Sequence, residues 1–524
     1  MTTSPSTEYG SAPGRLRDHA GRGAMWTIGV QWSIRLSGLV TFVVLARLLA
    51  PADFGAIALA STLAVILSSL SDFGFAAYLV QASKPDQRDL STAFWFSAAA
   101  GTVLAAGLAA AAWPLSEVLR APQAAPVIAA IGLSVFLDAF KSVPTVLLKR
   151  RFHFRALAMR RLVGVVAGQV VAIVMAVTGA GVWALVGQVW TVSAVTLVLT
   201  WAAARWRPSL RFSARVARRI AGYGVHVVGS DLVWNGMTWV TDGLVSRYLG
   251  LQQLGYLTMA NRVVQMTVDT AAAAGQQVAV ALFASVKAQH GRLTNAYLSG
   301  VSIAVSVLVP GLLWLAVNAP ELVPGVLGSK WTAAVPVFQL VAIGAVGKAV
   351  GVVDLPLLLG TGRPRLLFAV RSVIAGLVVA VTVVTAQVSI EAVAAGMAAV
   401  YLLAAPVQLV IVTGVLGIAR AVAFGRVGAL LGVSLLALAP SAALTLLTAQ
   451  RWPWFVVVAV SGLLLAAFQA LLLRLLLPSV WQHLVGMLGG ALRRRRSGRH
   501  ARSRVDDPPG PAPAATDDAA AGRG

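Results

Sequence analysis

Cysteine is absent from the 524-residue chain, which excludes disulfide frameworks, thiolate metal sites and a cysteine nucleophile together. Charge is scarce as well: Asp, Glu, Lys and Arg make up 11% of residues, too few for the surface of a set of soluble domains. Acidic residues are the scarcer sign, 18 against 42 Lys plus Arg, for a net charge of +24. No GxxxxGK[ST] loop occurs, which argues against direct ATP hydrolysis. No metal-ligand cluster or nucleophile constellation is present either, so no cofactor or catalytic residue is expected.

What is present is apolar: 58% of residues are hydrophobic. A helix crossing the hydrocarbon core needs about 20 mostly apolar residues, and such runs recur from Gly23 to Pro478. The first run, near 24–49, is too long for a signal-peptide core and has no clear cleavage site, so it is expected to remain as a helix. Further spans fall near 55–80, 91–113, 122–148, 160–178, 181–204, 221–246, 252–284, 293–318, 334–359, 366–386, 390–416, 426–449 and 453–477. The sequence therefore predicts an all-α polytopic membrane protein with about 14 transmembrane helices.

In a soluble protein the excess of arginine would point to nucleic acid. Here the basic residues cluster in short breaks between apolar runs, where they set orientation. With a cytoplasmic N-terminus, Arg15, Arg17, Arg22, Lys84, Arg88, the clusters at 149–161 and 205–219, Lys287, Arg292, Arg363, Arg365, Arg420, Arg426 and the tail after 493 fall on the cytoplasmic side. Arg47, Arg120, Arg247, Lys330 and Arg451 fall on the other. That bias predicts a bacterial cytoplasmic-membrane protein with both termini inside. The run Arg493, Arg494, Arg495 and Arg496 reads equally well as an anchor on anionic headgroups or as a plain topology signal. Beyond Arg504 the Pro, Ala, Gly and Asp content predicts disorder.

The stretch RLLAPADFGAIALA from Arg47 aligns without a gap to RYLGLQQLGYLTMA from Arg247. Arg47 matches Arg247, Leu49 matches Leu249, Gly55 matches Gly255 and Ala60 matches Ala260. Each stretch joins an odd span to the next even one, and the six helices between them give the copies the same orientation, as in a parallel repeat.

LARLLAPADFGAIALA at 45–60, SDFGFAAYLVQ at 71–81, LKRRFHFRALAMRR at 148–161, GVWALVGQ at 181–188, RWRPSLRFS at 205–213 and LGYLTMANR at 254–262 resemble one known family. It is the polysaccharide transporter or Wzx-type oligosaccharide flippases of the multidrug/oligosaccharidyl-lipid/polysaccharide exporter superfamily, and the resemblance runs from about Trp26 to Leu477. It implies two six-helix lobes around a central cavity, two added C-terminal helices and alternating access. On that plan the chain divides into a cytoplasmic segment 1–22, an N-terminal lobe 23–204, a basic linker 205–220, a C-terminal lobe 221–416, two additional helices 417–478 and a basic then disordered tail 479–524.

A charged side chain inside a spanning helix costs roughly 2.5 to 3.5 kcal/mol, so it is expected to face a cavity or a partner. The seventh span carries Asp231, Asn235, Thr238 and Asp242 on one stripe, and the eighth carries Arg262, Gln265, Asp269 and Gln276. The first offers Gln31 and Arg35, and the second Ser61, Ser68 and Asp72. These four helices are expected to line the cavity. In the functional reading Arg35, Arg262 and Lys348 hold the diphosphate of a polyprenyl-linked glycan, while Gln31, Gln265 and Asn235 accommodate sugars. The competing reading makes Arg262 and Asp269, two turns apart, a buried structural pair. Asp72, Asp231, Asp242, Asp269 and Asp354 are candidates for Na+ or proton coupling. Asp138 and Lys141, three apart, neutralise each other and are assigned to structure.

The function so implied is translocation of a polyprenyl-diphosphate-linked oligosaccharide from the inner to the outer leaflet, supplying polysaccharide-assembly proteins. An ion-coupled small-molecule exporter of the same superfamily is the nearest alternative, and a membrane glycan polymerase or ligase a more distant one. The longest outer loop, about 318–333, holds just Glu321 and Lys330 as charged residues, little for a catalytic loop. Topology is checked by reporter fusions: those after Arg88, Arg215, Arg292 and Arg426 are expected to report cytoplasm, and those after Glu117, Gly250 and Lys330 the outside. Two reversals would break the fourteen-span arrangement.

Overall fold

In the computed structural model the described residues are 13–72, 86–151, 153–272, 289–448 and 451–486, with isolated positions between. Among the described residues all regular structure is helical. A first group comprises α1 (Pro13–Leu48), α2 (Pro51–Asp72), α3 (Gln87–Val118), α4 (Ala125–Phe140), α5 (Ser142–Arg150), α6 (Phe154–Val177) and α7 (Trp183–Ala204). A second comprises α8 (Ala214–Leu249), α9 (Leu251–Ala272), α10 (His290–Leu327), α11 (Val335–Val350), α12 (Asp354–Gly360), α13 (Pro364–Thr385) and α14 (Ile390–Leu416). The last two helices are α15 (Arg420–Thr448) and α16 (Trp454–Leu476).

Local chemistry sets several of the helix starts. Pro51 opens α2, where its missing N–H costs nothing, and Asp53 accepts a hydrogen bond from the Ala50 amide at 2.9 Å. Asp86 and Asp89 form a reciprocal capping box at the start of α3, with the Asp89 amide donating to Asp86 at 2.7 Å. Ser389 accepts from the Ala392 amide at 3.1 Å and starts α14. The chain turns sharply from α6 into α7 through Gly179 and Gly181, both at positive φ.

The surface is inverted relative to a protein in water. Leu36, Val103, Leu403, Leu446 and Leu463 stand exposed. Buried hydroxyls turn inward on their own helices: Thr382, Thr413 and Ser434 donate to the carbonyls of Val378, Leu409 and Leu430 at 2.7, 2.8 and 2.9 Å. Such bonds satisfy polar groups where lipid offers no partner. Twelve helices among the described residues are long and apolar enough to cross a membrane. The sequence predicts fourteen; the seventh and eighth correspond to α8 and α9, which are long helices but lie outside the twelve. Their polar stripes lower their hydropathy. Of the predicted eighth span, 252–284, α9 covers the part to Ala272, and most of the remainder lies outside the described residues.

Within the first group α3 packs on α4, α6 on α7, α1 on α6, and α2 on α4. Within the second α11 packs on α14, α10 on α11, and α13 on both α14 and α8. The α15/α16 pair docks on α10. The groups meet through α2 against α9 and α8, α3 against α8, and α1 against α10.

Among the described residues that meeting is concentrated at one end. A single apolar core there draws on both groups, including Leu49, Phe54, Leu119, Leu251, Leu254, Leu327 and Trp331. At the other end the cores are separate: Phe75, Phe94, Leu147 and Trp206 belong to the first group alone, and Leu293, Tyr297, Val353 and Leu409 to the second. The seal centres on two glycines. A Cβ on Gly55 would collide with the Leu251 carbonyl oxygen, and one on Gly255 with the Pro51 carbonyl oxygen. These are the matched glycines of the repeat, each seated on the residue four before the other.

The matched arginines repeat the exchange. Arg47, in the last turn of α1, donates from Nε to the Val326 carbonyl at 2.9 Å and from Nη2 to the Gly325 carbonyl at 2.6 Å, at the C-terminal end of α10. Arg247, in the last turn of α8, donates from Nη1 to the Val118 carbonyl, the last residue of α3. Each cation thus satisfies orphan carbonyls at the negative end of a helix in the other group. The Trp331 indole adds a hydrogen bond to the Ala46 carbonyl at 2.9 Å, and Lys330 donates to the Leu49 carbonyl.

Gly55→Ala or Gly255→Ala is therefore expected to force α2 and α9 apart at a cost of about 1 to 3 kcal/mol. With no native cysteine, a single Ala56→Cys gives a clean reporter. It should resist a membrane-impermeant maleimide in the parent and react when either glycine is replaced. Unchanged labelling and unchanged thermal stability in both variants would show that this contact is not the seal.

A cavity beside a broken helix

The fourth span of each group is interrupted. In the first, α4 ends at Phe140 and α5 begins at Ser142, with Lys141 at the break. In the second, α11 ends at Val350, a 3-10 turn covers Gly351–Val353, and α12 begins at Asp354. Lys348 lies in the last turn of α11 and Asp354 in the first turn of α12, so each charge sits at the helix end whose dipole it complements. Discontinuous helices of this kind expose backbone polar groups to a cavity instead of lipid.

The cavity at this break has a volume of about 240 Å3. Asn261 and Gln265 of α9, Lys348 of α11, Asp354 of α12, Arg371 of α13 and Gln408 of α14 supply its polar lining. Aromatic rings flank the cations: Lys348 Nζ lies 4.0 Å from the Tyr401 ring centroid, and the Arg371 guanidinium 5.7 Å from that of Trp234. Gly347 makes the first contact possible, since a Cβ there would collide with the Tyr401 backbone and hold α11 off α14. The Tyr297 hydroxyl donates to Asp354 Oδ1 at 3.1 Å. Gln408 Oε1 and Asp354 Oδ2 both approach Gly351, leaving no room there for a side chain.

The two breaks differ in charge balance. Lys141 is held by an ion pair with Asp138 and donates to Thr196 Oγ1 at 3.3 Å, as the local spacing predicts. Lys348 makes no ion pair among the described residues. Its positive charge faces the cavity against a ring.

The residues expected to bind substrate do not share one wall. Gln265 and Lys348 are part of the cavity wall. Arg262 projects from α9 across to α1, where its guanidinium lies 5.4 Å from the Phe42 ring centroid. Among the described residues it makes no ion pair or hydrogen bond. Arg35 is half-buried on α1, 5.9 Å from the ring of Trp32, with Gln31 exposed one turn earlier. Asn235 is half-buried on α8. Among the acids, Asp354 lines the cavity, Asp242 is buried with Thr62 Oγ1 3.5 Å away across the α2/α8 junction, and Asp72 is half-buried at the end of α2. The side chains of Asp231 and Asp269 lie outside the described residues, as do Arg493, Arg494, Arg495 and Arg496.

Arg371, Trp234, Tyr297, Tyr401 and Gln408 join the site without having been singled out in the sequence. Arg371 had a legible signal, because it is a charge inside the apolar Pro364–Thr385 span and the cost argument applied to Arg262 covers it equally. The two tyrosines had none.

Comparison with known proteins places this architecture. The chain is 29% identical over 330 residues to the succinoglycan biosynthesis transport protein ExoT of Rhizobium meliloti (strain 1021), covering 63% of this chain and 67% of that one. It is 24% identical over 342 residues to the lipopolysaccharide biosynthesis protein WzxC of Escherichia coli (strain K12), covering 64% and 69%. The teichuronic acid biosynthesis protein TuaB of Bacillus subtilis (strain 168) is 23% identical over 349 residues, covering 66% and 72%. Among solved structures, the lipid II flippase MurJ in an inward closed conformation shares the fold with a TM-score of 0.70 at 12% identity, over 86% of this chain and 99% of that one. An inward-facing multidrug resistance MATE family transporter of the MOP superfamily gives 0.55 at 16% identity, over 78% and 98%. The model of the polysaccharide biosynthesis protein family matches residues 44–336, and this multi-pass bacterial membrane protein belongs to that family.

Proposed function

We propose that this protein is a flippase carrying a polyprenyl-diphosphate-linked oligosaccharide from the inner to the outer leaflet of the cytoplasmic membrane, with both termini in the cytoplasm. The observation that carries the reading is Arg262, a cation from the second group lying against α1 of the first with no anionic partner among the described residues. Arg35 stands seven residues before Phe42 on the same helix, an axial offset of about 10 Å. Two guanidiniums from opposite groups, facing a gap sealed at one end, suit a dianionic headgroup that must be held while the groups move. Names among the relatives support the same class: a succinoglycan transport protein, a Wzx protein, and a lipid II flippase of like fold.

In this reading Lys348, Gln265 and Asn235 contact the glycan, and the cavity supplies the stacking and amide surface that sugars use. Asp354, held by Tyr297, and Asp242, at the junction of α2 and α8, are the described acids placed to couple an ion to movement. Asp72, Asp231 and Asp269 are the remaining candidates.

Replacing Arg35 or Arg262 with Ala should abolish flipping at normal protein abundance, while Lys, a point charge without the planar fork, should retain part of it. A structural Arg262 behaves differently: its loss would strand the Asp269 carboxylate and lower folded protein, and Arg262→Ala with Asp269→Ala would restore both abundance and activity. Surface glycan measured beside protein level separates the two. Full flipping by an abundant double variant would end the diphosphate-binding role.

A further inference from the structure

The segment joining the two groups, residues 205–213, is neither a free loop nor a helix. The chain leaves α7 at Arg205 with φ of 45°, a left-handed turn that redirects it along the start of α3. Trp206 is buried there, its ring 5.8 Å from that of Phe94, and its indole donates to Gln87 Oε1 at 2.9 Å. Gln87 Nε2 in turn donates to the Arg207 carbonyl at 2.8 Å. Ser209 bonds Ser91 Oγ through its amide and its hydroxyl, both at 2.9 Å, and accepts from the Trp95 indole at 2.9 Å. The Ser213 amide reaches Thr92 Oγ1 at 3.2 Å. Six hydrogen bonds thus strap the linker onto α3.

What the strap presents outward is the reverse of an aqueous loop. Its polar backbone is turned to α3, while Leu210 is 90% exposed and Phe212 56% exposed. With Trp95, Phe96 and Ala99 these two form an open groove of about 410 Å3. Arg205, Arg207 and Arg211 are also exposed, and none has an ion pair or side-chain hydrogen bond among the described residues. The strap lies at the first turns of a membrane-spanning helix, where side chains meet lipid headgroups. An apolar groove at that depth, ringed by guanidiniums, matches a molecule with a phosphate at one end and an acyl chain at the other.

We infer that the strap and the first turns of α3 bind an anionic phospholipid. Its phosphate meets Arg207 and Arg211, and the upper part of its acyl chain lies over Trp95, Leu210 and Phe212. The strap is fastened to α3, so the lipid holds the first group at the membrane face.

The test uses the full-length protein in nanodiscs of equal parts phosphatidylglycerol and phosphatidylcholine, with lipid retention read by native mass spectrometry. The parent should keep phosphatidylglycerol selectively and gain thermal stability when phosphatidylglycerol replaces phosphatidylcholine. Arg207→Gln with Arg211→Gln should weaken retention about twenty-five-fold, roughly fivefold per arginine. Leu210→Ser with Phe212→Ser should also lose it, with every charge intact, and both variants should match the parent's stability in phosphatidylcholine alone. Equal retention by the arginine variant, or a parent indifferent to phosphatidylglycerol, overturns the site. Retention by the serine variant reduces it to general attraction of charge and overturns the groove. Displacement of phosphatidylglycerol by an equal concentration of polyprenyl phosphate would assign the groove to the carrier lipid instead.

Discussion

The reciprocal seating of Gly55 on the Leu251 carbonyl and of Gly255 on the Pro51 carbonyl is what lets the two helix groups meet at all. Helices in lipid gain little from covering apolar surface, because the tails they displace are as apolar as leucine. Association then depends on backbone approach and hydrogen bonding, and both are concentrated at this end. The arginine caps depend on the same approach: Arg47 and Arg247 reach carbonyls of the opposite group because α2 and α9 lie close enough to bring α1 to α10 and α8 to α3. Each cap on a helix terminus is worth about 0.3 to 1 kcal/mol, so the seal consists of several modest contacts.

The same caps explain two of the charges on the sparsely basic side. On the topology expected from the sequence Arg47 and Arg247 are exceptions to the positive-inside rule, yet each donates to carbonyls at a helix end of the other group. Lys330, a third exception, donates to the Leu49 carbonyl in the same region. All three have a structural task.

Much of the helical plan was legible because the bilayer imposes it: long apolar runs mark helices, and the spacing of Arg47 and Gly55 from Arg247 and Gly255 marked the repeat. What the alignment could not show is that the repeated residues touch one another's helices, since a sequence match gives equivalence without proximity. Polar stripes pointed to α1, α2, α8 and α9, yet among the described residues of those stripes Gln265 alone is in the cavity wall, beside Lys348 and Asp354 of the interrupted fourth span. Arg262 and Arg35 sit elsewhere along the gap, against Phe42 and Trp32. Periodicity tells which face of a helix is polar but not which polar groups on different helices converge. Tyr297 and Tyr401 escaped notice for a related reason: an aromatic residue in an apolar span looks like core until a charge is found against it.

The broken fourth spans of the two groups differ in how their charges are balanced. Both copies carry a lysine at the interruption, and Lys348 lines the cavity. In the first group the charge is cancelled three residues away by Asp138 and the break is quiet electrostatically. In the second the acid has moved to the far side of the break, to Asp354, where Tyr297 holds it and the intervening Gly351–Val353 turn separates it from Lys348. Separating a cation from its counter-ion inside a membrane protein costs stability. In the proposed function the ligand completes that separation, meeting Lys348 where it rests on the ring of Tyr401 at the cavity wall.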